Sequence, residues 1–400
     1  MEAAVIASDV PVLDEDPFAI DVILRPYAFQ EAVREIGPIS FVEKYGSYAV
    51  GRYDDVRKVL TDWESFTSAA GAGLSNIRKP GAWREPGPIV EADPPDHTDV
   101  RRVVTKIISP AVIRGWKSTF EAAASQLVDR ICQSRAVDGA KDIAEHFVLN
   151  VFPPALGLHV HIENLVTIGD YNFNALGPKN ELFLRSQEKL EAISDWYTAS
   201  QTREGVIPGS FAEMLFDAED AGELKPGVAG GLARTFLRGG MDTTISGIGS
   251  SLMFLARDPD LWTHLRSDRG RLKLVFEEAL RLESPIQSYF RTTTKPVEFG
   301  GHRLEPDTKL QLFIGAANRD PRKWPNPDQF DISRSPAGHL SFGHGIHLCV
   351  GQMIARMEAE SVLNALLDKV ERLELAGEPT HRPLNTLRTL EALPLAIVPA

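Results

Sequence analysis

Phe342-Gly-His-Gly-Ile-His-Leu-Cys-Val-Gly351 places a cysteine, Cys349, in a loop that carries three glycines. A helical run, predicted from Gln352 to Leu366, follows at once. Glycines allow tight turns and the close approach of backbone to a ligand. A thiolate near the start of a helix is stabilised by the amide dipoles and is a good soft ligand for a metal. Taken alone, a single cysteine is more often a small buried hydrophobic residue than a metal ligand, so the rest of the chain must decide between the two.

Composition excludes several classes of protein. The chain has 400 residues, 43% of them hydrophobic, and a net charge of -12, which argues against nucleic acid as a partner. No apolar run is long enough to span a bilayer, and the acidic N-terminus, Met1 to Asp16, lacks the basic region of a secretory signal. With only Cys132 and Cys349, a disulfide framework is excluded and a cytoplasmic location is expected.

Hydrophobic periodicity and turn residues predict a mostly helical chain with short strands. Residues 1–20 form a predicted polar arm, Ile39 to Arg52 a hairpin around Gly46, and Thr67 to Pro88 a long Gly/Pro-rich loop. Strands are predicted from Ser288 and again from Arg372. Helices are predicted over Tyr27 to Glu35, Asp54 to Asp62, Ser109 to Ser134, Ala144 to Leu158, Tyr171 to Lys189, Leu190 to Glu204 and Gly227 to Arg257.

A basic pair stands at a predicted helix start. Pro94 and Pro95 precede His97 and Arg101, which at i and i+4 share one helical face. A solvated basic face is one interpretation, and a pair of donors for two carboxylates is the other.

A glycine pair interrupts the long predicted helix from Gly227 to Arg257. Gly239 and Gly240 lie near its centre, where each glycine costs roughly 1 kcal/mol relative to alanine, and Asp242 and Thr243 follow. The cost indicates close approach by another group or a bulge in the hydrogen-bond ladder. A kinked core helix explains the pattern, and so does a groove for a small ligand beside a proton relay.

These motifs together resemble the cytochrome P-450 superfamily in order and spacing over nearly the whole chain. The resemblance implies a mainly α fold with small β-sheets, in which haem b lies between a long central helix and the cysteine loop. It further implies one haem domain over residues 1–400 with no fused reductase. The partners would then be an iron–sulfur ferredoxin and its flavoprotein reductase, with O2 as co-substrate.

The resemblance also assigns roles to residues. Glu278 and Arg281 match a buried ion pair that an arginine of the later meander, here Arg334, would complete. Asp242 and Thr243 match the catalytic acid and alcohol that handle protons. The residues implied to hold haem are the iron ligand Cys349, its loop neighbours Phe342, Gly343, His347 and Gly351, and the propionate ligands His97, Arg101 and Arg291.

A closer resemblance is to the bacterial enzymes that oxidise para-substituted benzoates such as 4-methoxybenzoate. It rests on four segments, Gly71 to Ser75, Ala82 to Pro86, Phe173 to Pro178 and Glu283 to Arg291. In those enzymes an arginine and serines bind the substrate carboxylate, and Arg84 matches the arginine. Gly87, Thr235 and Arg238 stand where those enzymes have serines, and Leu176 and Tyr289 where they have phenylalanines. Phe173 is retained, and Val90 and Ile286 complete the implied pocket.

The function implied is haem mono-oxygenation of a small aromatic acid, by hydroxylation or oxidative O-demethylation. Loss of two hydroxyl donors and gain of a guanidinium and a phenol indicate a substrate longer or more polar than 4-methoxybenzoate. An oxygenase for a neutral terpenoid or macrolide is the alternative, and it predicts that Arg84 and Arg238 face solvent or pair internally. A haem-thiolate sensor without turnover is a further alternative, against which the intact Asp242–Thr243 pair argues.

Overall fold

The computed structural model describes residues 10–134, 136–159 and 161–400, so the first nine residues of the predicted polar arm lie outside the described part. Within these ranges the mainly α fold with small sheets is confirmed. The helices are α1 (Ile20–Leu24), α2 (Tyr27–Ile36), α3 (Tyr53–Thr61), α4 (Asp96–Ile107), α5 (Pro110–Ile131), α6 (His146–Leu156), α7 (Ile162–Ala175), α8 (Glu181–Glu191), α9 (Ser194–Ala199), α10 (Phe211–Asp220), α11 (Val228–Gly240), α12 (Asp242–Arg257), α13 (Pro259–Ser267), α14 (Leu272–Glu283), α15 (Ile314–Asn318) and α16 (Gln352–Lys369).

Thirteen short strands form four small sheets in the described ranges. They are β1 (Val12–Leu13), β2 (Ser40–Val42), β3 (Ser47–Val50), β4 (Phe66–Thr67), β5 (Ala136–Asp138), β6 (Ser288–Thr293), β7 (Val297–Phe299), β8 (His302–Leu304), β9 (Lys309–Phe313), β10 (Val370–Leu375), β11 (Thr380–Pro383), β12 (Arg388–Ala392) and β13 (Pro394–Pro399). The largest sheet has the order β1-β2-β3-β9-β6-β4, and the others are β10-β13-β5, β11-β12 and β7-β8.

Three helix predictions need correction. The predicted helix from Leu190 to Glu204 is reduced to α9, because turns at residues 192–193 and 200–202 interrupt it. The predicted helix from Tyr171 to Lys189 is broken between α7 and α8, where residues 176–180 contain Gly177 and Pro178. The predicted single helix from Gly227 to Arg257 is broken at Met241, which separates α11 from α12. The hairpin around Gly46 is confirmed, with β2 antiparallel to β3 and Gly46 in the left-handed conformation that glycine adopts without strain.

The core is built around α12, which is buried along most of its length because its residues are mostly apolar or small and several of its hydroxyls donate to carbonyls one turn earlier. Helices α5, α14 and α16 pack in the same hydrophobic cluster. A second cluster fills the space under the large sheet. No helix in the described ranges combines the length and the apolarity needed to cross a membrane.

A buried ion network joins α14 to the segment before the cysteine loop. Arg281 and Glu278 are fully buried, with Nε of Arg281 donating to Oε2 of Glu278 at 2.8 Å. Arg281 also donates to the carbonyls of Asn318 and Pro327, both at 2.8 Å. The expected third member, Arg334, places its Nε 2.9 Å from Oε1 of Glu278. The network therefore ties the meander to the core.

Glu278→Ala should lower the free energy of unfolding by about 3–5 kcal/mol, because it leaves two guanidinium groups buried without their carboxylate. Thermal or urea unfolding measures the loss. Glu305→Ala is the matched control, since it breaks the exposed Arg303–Glu305 pair of similar length, 2.9 Å, and should cost less than about 1 kcal/mol. Equal decreases in the free energy of unfolding of Glu278→Ala and Glu305→Ala would contradict the structural role of the buried ion network.

Candidate functional site

An apolar cavity of about 240 Å³ lies between α11–α12 and the cysteine loop. Its walls come from distant parts of the chain, because the loop before α4, the central helices, β6 and the cysteine loop converge here. The residues that form its apolar surface are Leu60, Ala72, Ile89, Val90, Phe152, Phe236, Phe276, Leu280, Ile286, Phe342, Leu348, Val350 and Ile354. Cys349 lies in its wall.

The loop holds the Cys349 side chain by its backbone. Gly343 and Gly345 have φ of 73° and 70°, values that side chains rarely adopt, whereas Gly351 is at -84°. The N–H of Cys349 donates to the carbonyl of Phe342 at 2.8 Å. Burial raises the pKa of the Cys349 thiol, while the N–H groups of Gly351 and Gln352 and the Arg101 guanidinium favour the thiolate. The predicted position of the cysteine just before α16 is confirmed.

Basic groups gather along one side of the cavity. Arg101, Arg291 and His347 line it, and His97 lies behind His347 with the two ring centroids 4.5 Å apart. Nε2 of His97 is buried without a hydrogen-bond partner, and no acid lies within 4.0 Å of Arg101 or Arg291 in the described ranges. Nε2 of His347 is 2.9 Å from the Ser68 hydroxyl.

The electrostatics of these basic residues fit an anionic ligand. Burial lowers the pKa of Arg291 to about 10. Burial, then Arg291, His97 and Arg101, lower the pKa of His347 to about 3. Buried cations without counter-ions are costly unless a ligand supplies the charge. A planar macrocycle that carries two carboxylates on one edge, and a metal that accepts the Cys349 thiolate, fits these donors.

The helix break shapes the opposite wall. A Cβ on Gly239 would meet no atom within 4 Å, whereas one on Gly240 would lie 2.4 Å from the Phe152 ring. Gly239 therefore opens the wall, and Gly240 allows tight packing behind it. The hydroxyl of Thr243 lies on the cavity side and donates to the Gly239 carbonyl at 2.8 Å. Thr244 makes the same bond to the Gly240 carbonyl at 2.9 Å.

Asp242 lies elsewhere than expected. It does not line the cavity and instead faces α7, where its carboxyl lies against Gly169. Arg238, one turn earlier, also faces α7 and lies over the Tyr171 ring. Oδ1 of Asp242 is 3.9 Å from Nη2 of Arg382, whose Nη1 is 3.3 Å from Oδ1 of Asp170. Burial raises the pKa of Asp242 to about 7, and Arg382 opposes the rise. An acid with this pKa can both take up and release protons near neutrality.

The residues expected to contact substrate fall into three groups. Val90, Thr235, Ile286 and Tyr289 line the apolar cavity. Phe173 and Leu176 pack with Ile286 in a small buried cluster against which Tyr289 lies, outside the cavity wall. Arg84 and Arg238 line a second, more polar cavity on another face of α11, which corrects the expectation that Arg238 lies along the first cavity.

Arg84 has an internal partner, Glu91, which follows Val90 of the first cavity wall. Its Nη2 is 3.4 Å from Oε1 of Glu91, and its buried Nη1 has no hydrogen-bond partner. The other oxygen of Glu91 accepts the N–H of Gly87 at 2.9 Å. A Cβ on Gly87 would lie 2.6 Å from that oxygen and 3.9 Å from the Thr235 hydroxyl. The Glu91 carboxylate thus takes up the space that a serine at residue 87 would need.

Sequence reasoning missed Glu91, Asp170 and Arg382. Glu91 was visible beside the proline pair, but nothing local indicated that it would fold back onto Arg84. Asp170 and Arg382 lie in α7 and β11, far apart in the chain, and no spacing pattern connects them to Asp242.

The cavity, its cysteine and its basic side define a haem-thiolate oxidoreductase. The family model described as Cytochrome P450 matches residues 204–393. The chain is 44% identical over 394 residues to cytochrome p450 CYP199A2 of Rhodopseudomonas palustris, a match that covers 98% of this chain and 95% of that protein. It is 29% identical to cytochrome P450 107B1 of Saccharopolyspora erythraea, over 92% of each chain. The structure of CYP109Q5 from Chondromyces apiculatus superimposes with a TM-score of 0.80 at 30% identity, covering 97% of this chain and 99% of that one.

The chain belongs to the cytochrome P450 family. It is accordingly a monooxygenase that uses thiolate-ligated haem and O2.

Proposed function

We propose that this P450 hydroxylates or oxidatively O-demethylates a small aromatic carboxylic acid, with electrons from an iron–sulfur ferredoxin and its flavoprotein reductase. The observation that carries the proposal is Arg84, whose buried Nη1 has no hydrogen-bond partner and whose ion-pair partner Glu91 directly follows Val90 of the apolar cavity wall. The resemblance to enzymes that oxidise para-substituted benzoates and the 44% identity to CYP199A2 support it.

Each part of the site then has a role. Haem held through a thiolate activates O2 for insertion of one oxygen atom into a substrate C–H bond. Cys349 would ligate the iron, and His97, Arg101 and Arg291 would bind the propionates by charge-assisted hydrogen bonds. Phe342, Gly343, His347 and Gly351 would surround the group on the cysteine side.

The protein side of the mechanism is binding and proton handling. The apolar walls near Ile286 and Tyr289 exclude water and orient an aromatic ring. Thr243 holds a proton at the cavity surface, and Asp242 would resupply it from the side of Arg382 and Asp170, which are partly exposed. If the oxidised carbon is a methoxy methyl group, the hydroxylated product loses formaldehyde, which gives demethylation.

The Arg84–Glu91 pair favours a second candidate, an oxygenase for a neutral terpenoid or macrolide. Internal pairing of Arg84 is what that candidate predicts. The two candidates differ in the charge of the ligand that Arg84 accepts.

In the haem-loaded protein, 4-methoxybenzoate should bind at least about 10-fold more tightly than 4-methoxybenzamide, because the acid satisfies Nη1 of Arg84. Titration followed by the Soret shift measures both. Arg84→Gln should remove most of this preference, whereas Arg78→Gln, an exposed arginine of the same loop, should leave it unchanged. Equal binding of acid and amide to the parent protein would favour the neutral substrate.

A further inference from the structure

Residues 70–74 of the Gly/Pro-rich loop bring Ala72 into the wall of the apolar cavity. Gly71 and Gly73 flank this alanine, so no side chain next to it in the chain can pack and hold it in place. Gly71 has a φ of 108°, which other residues rarely adopt, and a Cβ on Gly73 would lie 2.7 Å from the carbonyl oxygen of Leu176. Hydrogen bonds of the backbone must therefore fix the conformation of residues 70–74.

The side chain of Lys309, at the start of β9, donates to three carbonyls of this segment. Its Nζ lies 3.4 Å from the oxygen of Ala70, 3.2 Å from that of Gly71 and 3.1 Å from that of Gly73. In the described ranges no other donor reaches the carbonyl of Gly71 or Gly73, and both glycines are buried. An ammonium group carries three N–H donors on one atom, which is the number that these three carbonyls can accept.

Lys309 is held at this place without a carboxylate. No acid lies within 4.0 Å of its Nζ in the part of the chain that the structure describes, because the nearby Asp307 pairs with Lys79 and accepts the Asn76 amide at 2.8 Å. Burial lowers the pKa of Lys309 to about 7. A buried ammonium group needs polar partners in place of water, so the three carbonyls stabilise Lys309 as much as it stabilises them.

Two backbone hydrogen bonds connect residues 70–74 with other walls of the site. The N–H of Phe290, in β6, donates to the Ala72 carbonyl at 3.0 Å. The N–H of Leu74 donates to the carbonyl of Leu176, directly after α7, at 2.8 Å. The carbonyls of residues 71, 72 and 73 therefore each have one donor, and two of these three bonds come from Lys309.

We propose that Lys309 is a positioning residue of the monooxygenase site. By holding the carbonyls on either side of Ala72 it fixes this part of the wall, and through Ala72 it determines how closely an aromatic ring packs in the cavity. The role does not depend on the charge of the substrate, so its test is independent of the proposed aromatic acid. A lysine that only stabilised the sheet would change the free energy of unfolding and leave the cavity unchanged.

The test is a titration of the haem-loaded protein with two iron ligands, imidazole and 4-phenylimidazole, followed by the Soret shift. Both ligands bind iron, but only the second has an aromatic ring that needs the apolar cavity. Lys309→Met keeps the length of the stem and removes all three donors. It should weaken 4-phenylimidazole about 5–10-fold and imidazole less than about 2-fold, because the orphaned carbonyls of Gly71 and Gly73 must find other partners. Lys309→Gln, which keeps two N–H donors, should show the same preference to a smaller extent and serves if Lys309→Met does not take up haem.

Lys369→Met is the matched control, since this lysine also holds two segments together through polar groups. Nζ of Lys369 donates to the carbonyl and the hydroxyl of Ser125 at 3.0 and 2.7 Å and lies 2.7 Å from Oδ1 of Asp129, between α16 and α5 and outside the cavity wall. This variant should lower the unfolding temperature and leave the affinity for both ligands unchanged.

A double-mutant cycle with Ala72→Gly tests whether Lys309 acts through Ala72. Ala72→Gly should also weaken 4-phenylimidazole, and the combined variant should bind it no more weakly than the stronger of the two single effects. Additive losses would show that the two residues act separately and would overturn the proposal. Equal weakening of imidazole and 4-phenylimidazole by Lys309→Met, or unchanged affinity for both together with a lower unfolding temperature, would overturn it as well.

Discussion

Cys349→Ser should abolish the absorption band of the reduced, carbon monoxide-treated protein from which the P450 family takes its name. The band requires a thiolate on iron, and serine offers a far weaker donor in the same position. Activity should fall to background, because the thiolate is the ligand that promotes O–O cleavage. The hydrogen bond from the Cys349 N–H to Phe342 uses only backbone, so the loop itself should survive the change.

Cys132→Ser is the control for this prediction. Cys132 ends α5, and its Sγ lies 3.7 Å from the Lys369 carbonyl, in a different region from the cavity. This variant should keep the band at full intensity. Retention of the band in Cys349→Ser, or its loss in Cys132→Ser, would contradict the assignment of Cys349 as the iron ligand.

The second large effect is expected at the helix break. Asp242→Asn should slow turnover by about 10²-fold or more, because groups that transfer protons typically contribute about 10²–10⁴-fold. Thr243→Ala should bind substrate normally yet release more hydrogen peroxide per electron consumed, since it removes the hydroxyl at the cavity surface. Product, peroxide and electron consumption, measured together, separate the two effects.

Ser251→Ala is the matched control for Thr243→Ala. The Ser251 hydroxyl makes the same kind of helix bond, to the Gly247 carbonyl at 2.8 Å, but it is buried in the core away from the cavity. Its peroxide yield should equal that of the parent protein. Unchanged coupling in Thr243→Ala together with an unchanged rate in Asp242→Asn would exclude the proton relay.

The pH dependence follows from the pKa of about 7 that burial produces at Asp242. The protonated fraction of this carboxyl declines above pH 7, so turnover of the parent should fall there, and Asp242→Asn should lose this dependence. The Asp242 carboxyl also makes the free energy of unfolding depend on pH. The folded state favours the protonated form, so the contribution of this carboxyl is present below about pH 4 and is lost as pH rises through about 7.

Asp242→Asn should therefore unfold at a higher temperature than the parent at about pH 8, and the difference should shrink towards about pH 5. A shift of the pKa from 3.8 to about 7 corresponds to at most roughly 4 kcal/mol. A difference that does not vary with pH would show that Asp242 does not titrate in this range.

Local patterns were sufficient to predict the cysteine loop, the helix that begins near His97 and the strand that carries Arg291. In each case the decisive information lies close by in the chain: glycines before Cys349, prolines before His97, β-branched residues around Arg291. The glycine pair likewise indicated a disturbance in the central helix. It could not give the surroundings of Asp242, because these depend on how α7 and Arg382 pack against the start of α12.

Contacts between segments that are distant in the chain could not be predicted from local sequence patterns. Whether Arg238 meets the apolar cavity or the second one depends on where α7, α9 and the loop before α4 pack against α11. The pairing of Arg84 with Glu91 depends on how the Gly/Pro-rich loop folds back, which no periodicity describes. The same holds for Arg382, which reaches Asp242 from a strand near the end of the chain.

The bend at Met241, between α11 and α12, has a consequence for how this protein evolves. Thr235 and Arg238 lie on α11, whereas Asp242 and Thr243 lie on α12. The two segments do not form one continuous helix. We expect substitutions in residues 228–240 to leave the proton-handling pair in place, because that pair lies on the second helix. A lineage can therefore acquire new substrates through one helix and conserve its oxygen chemistry on the next, and exchange of α11 between relatives should transfer specificity without loss of coupling.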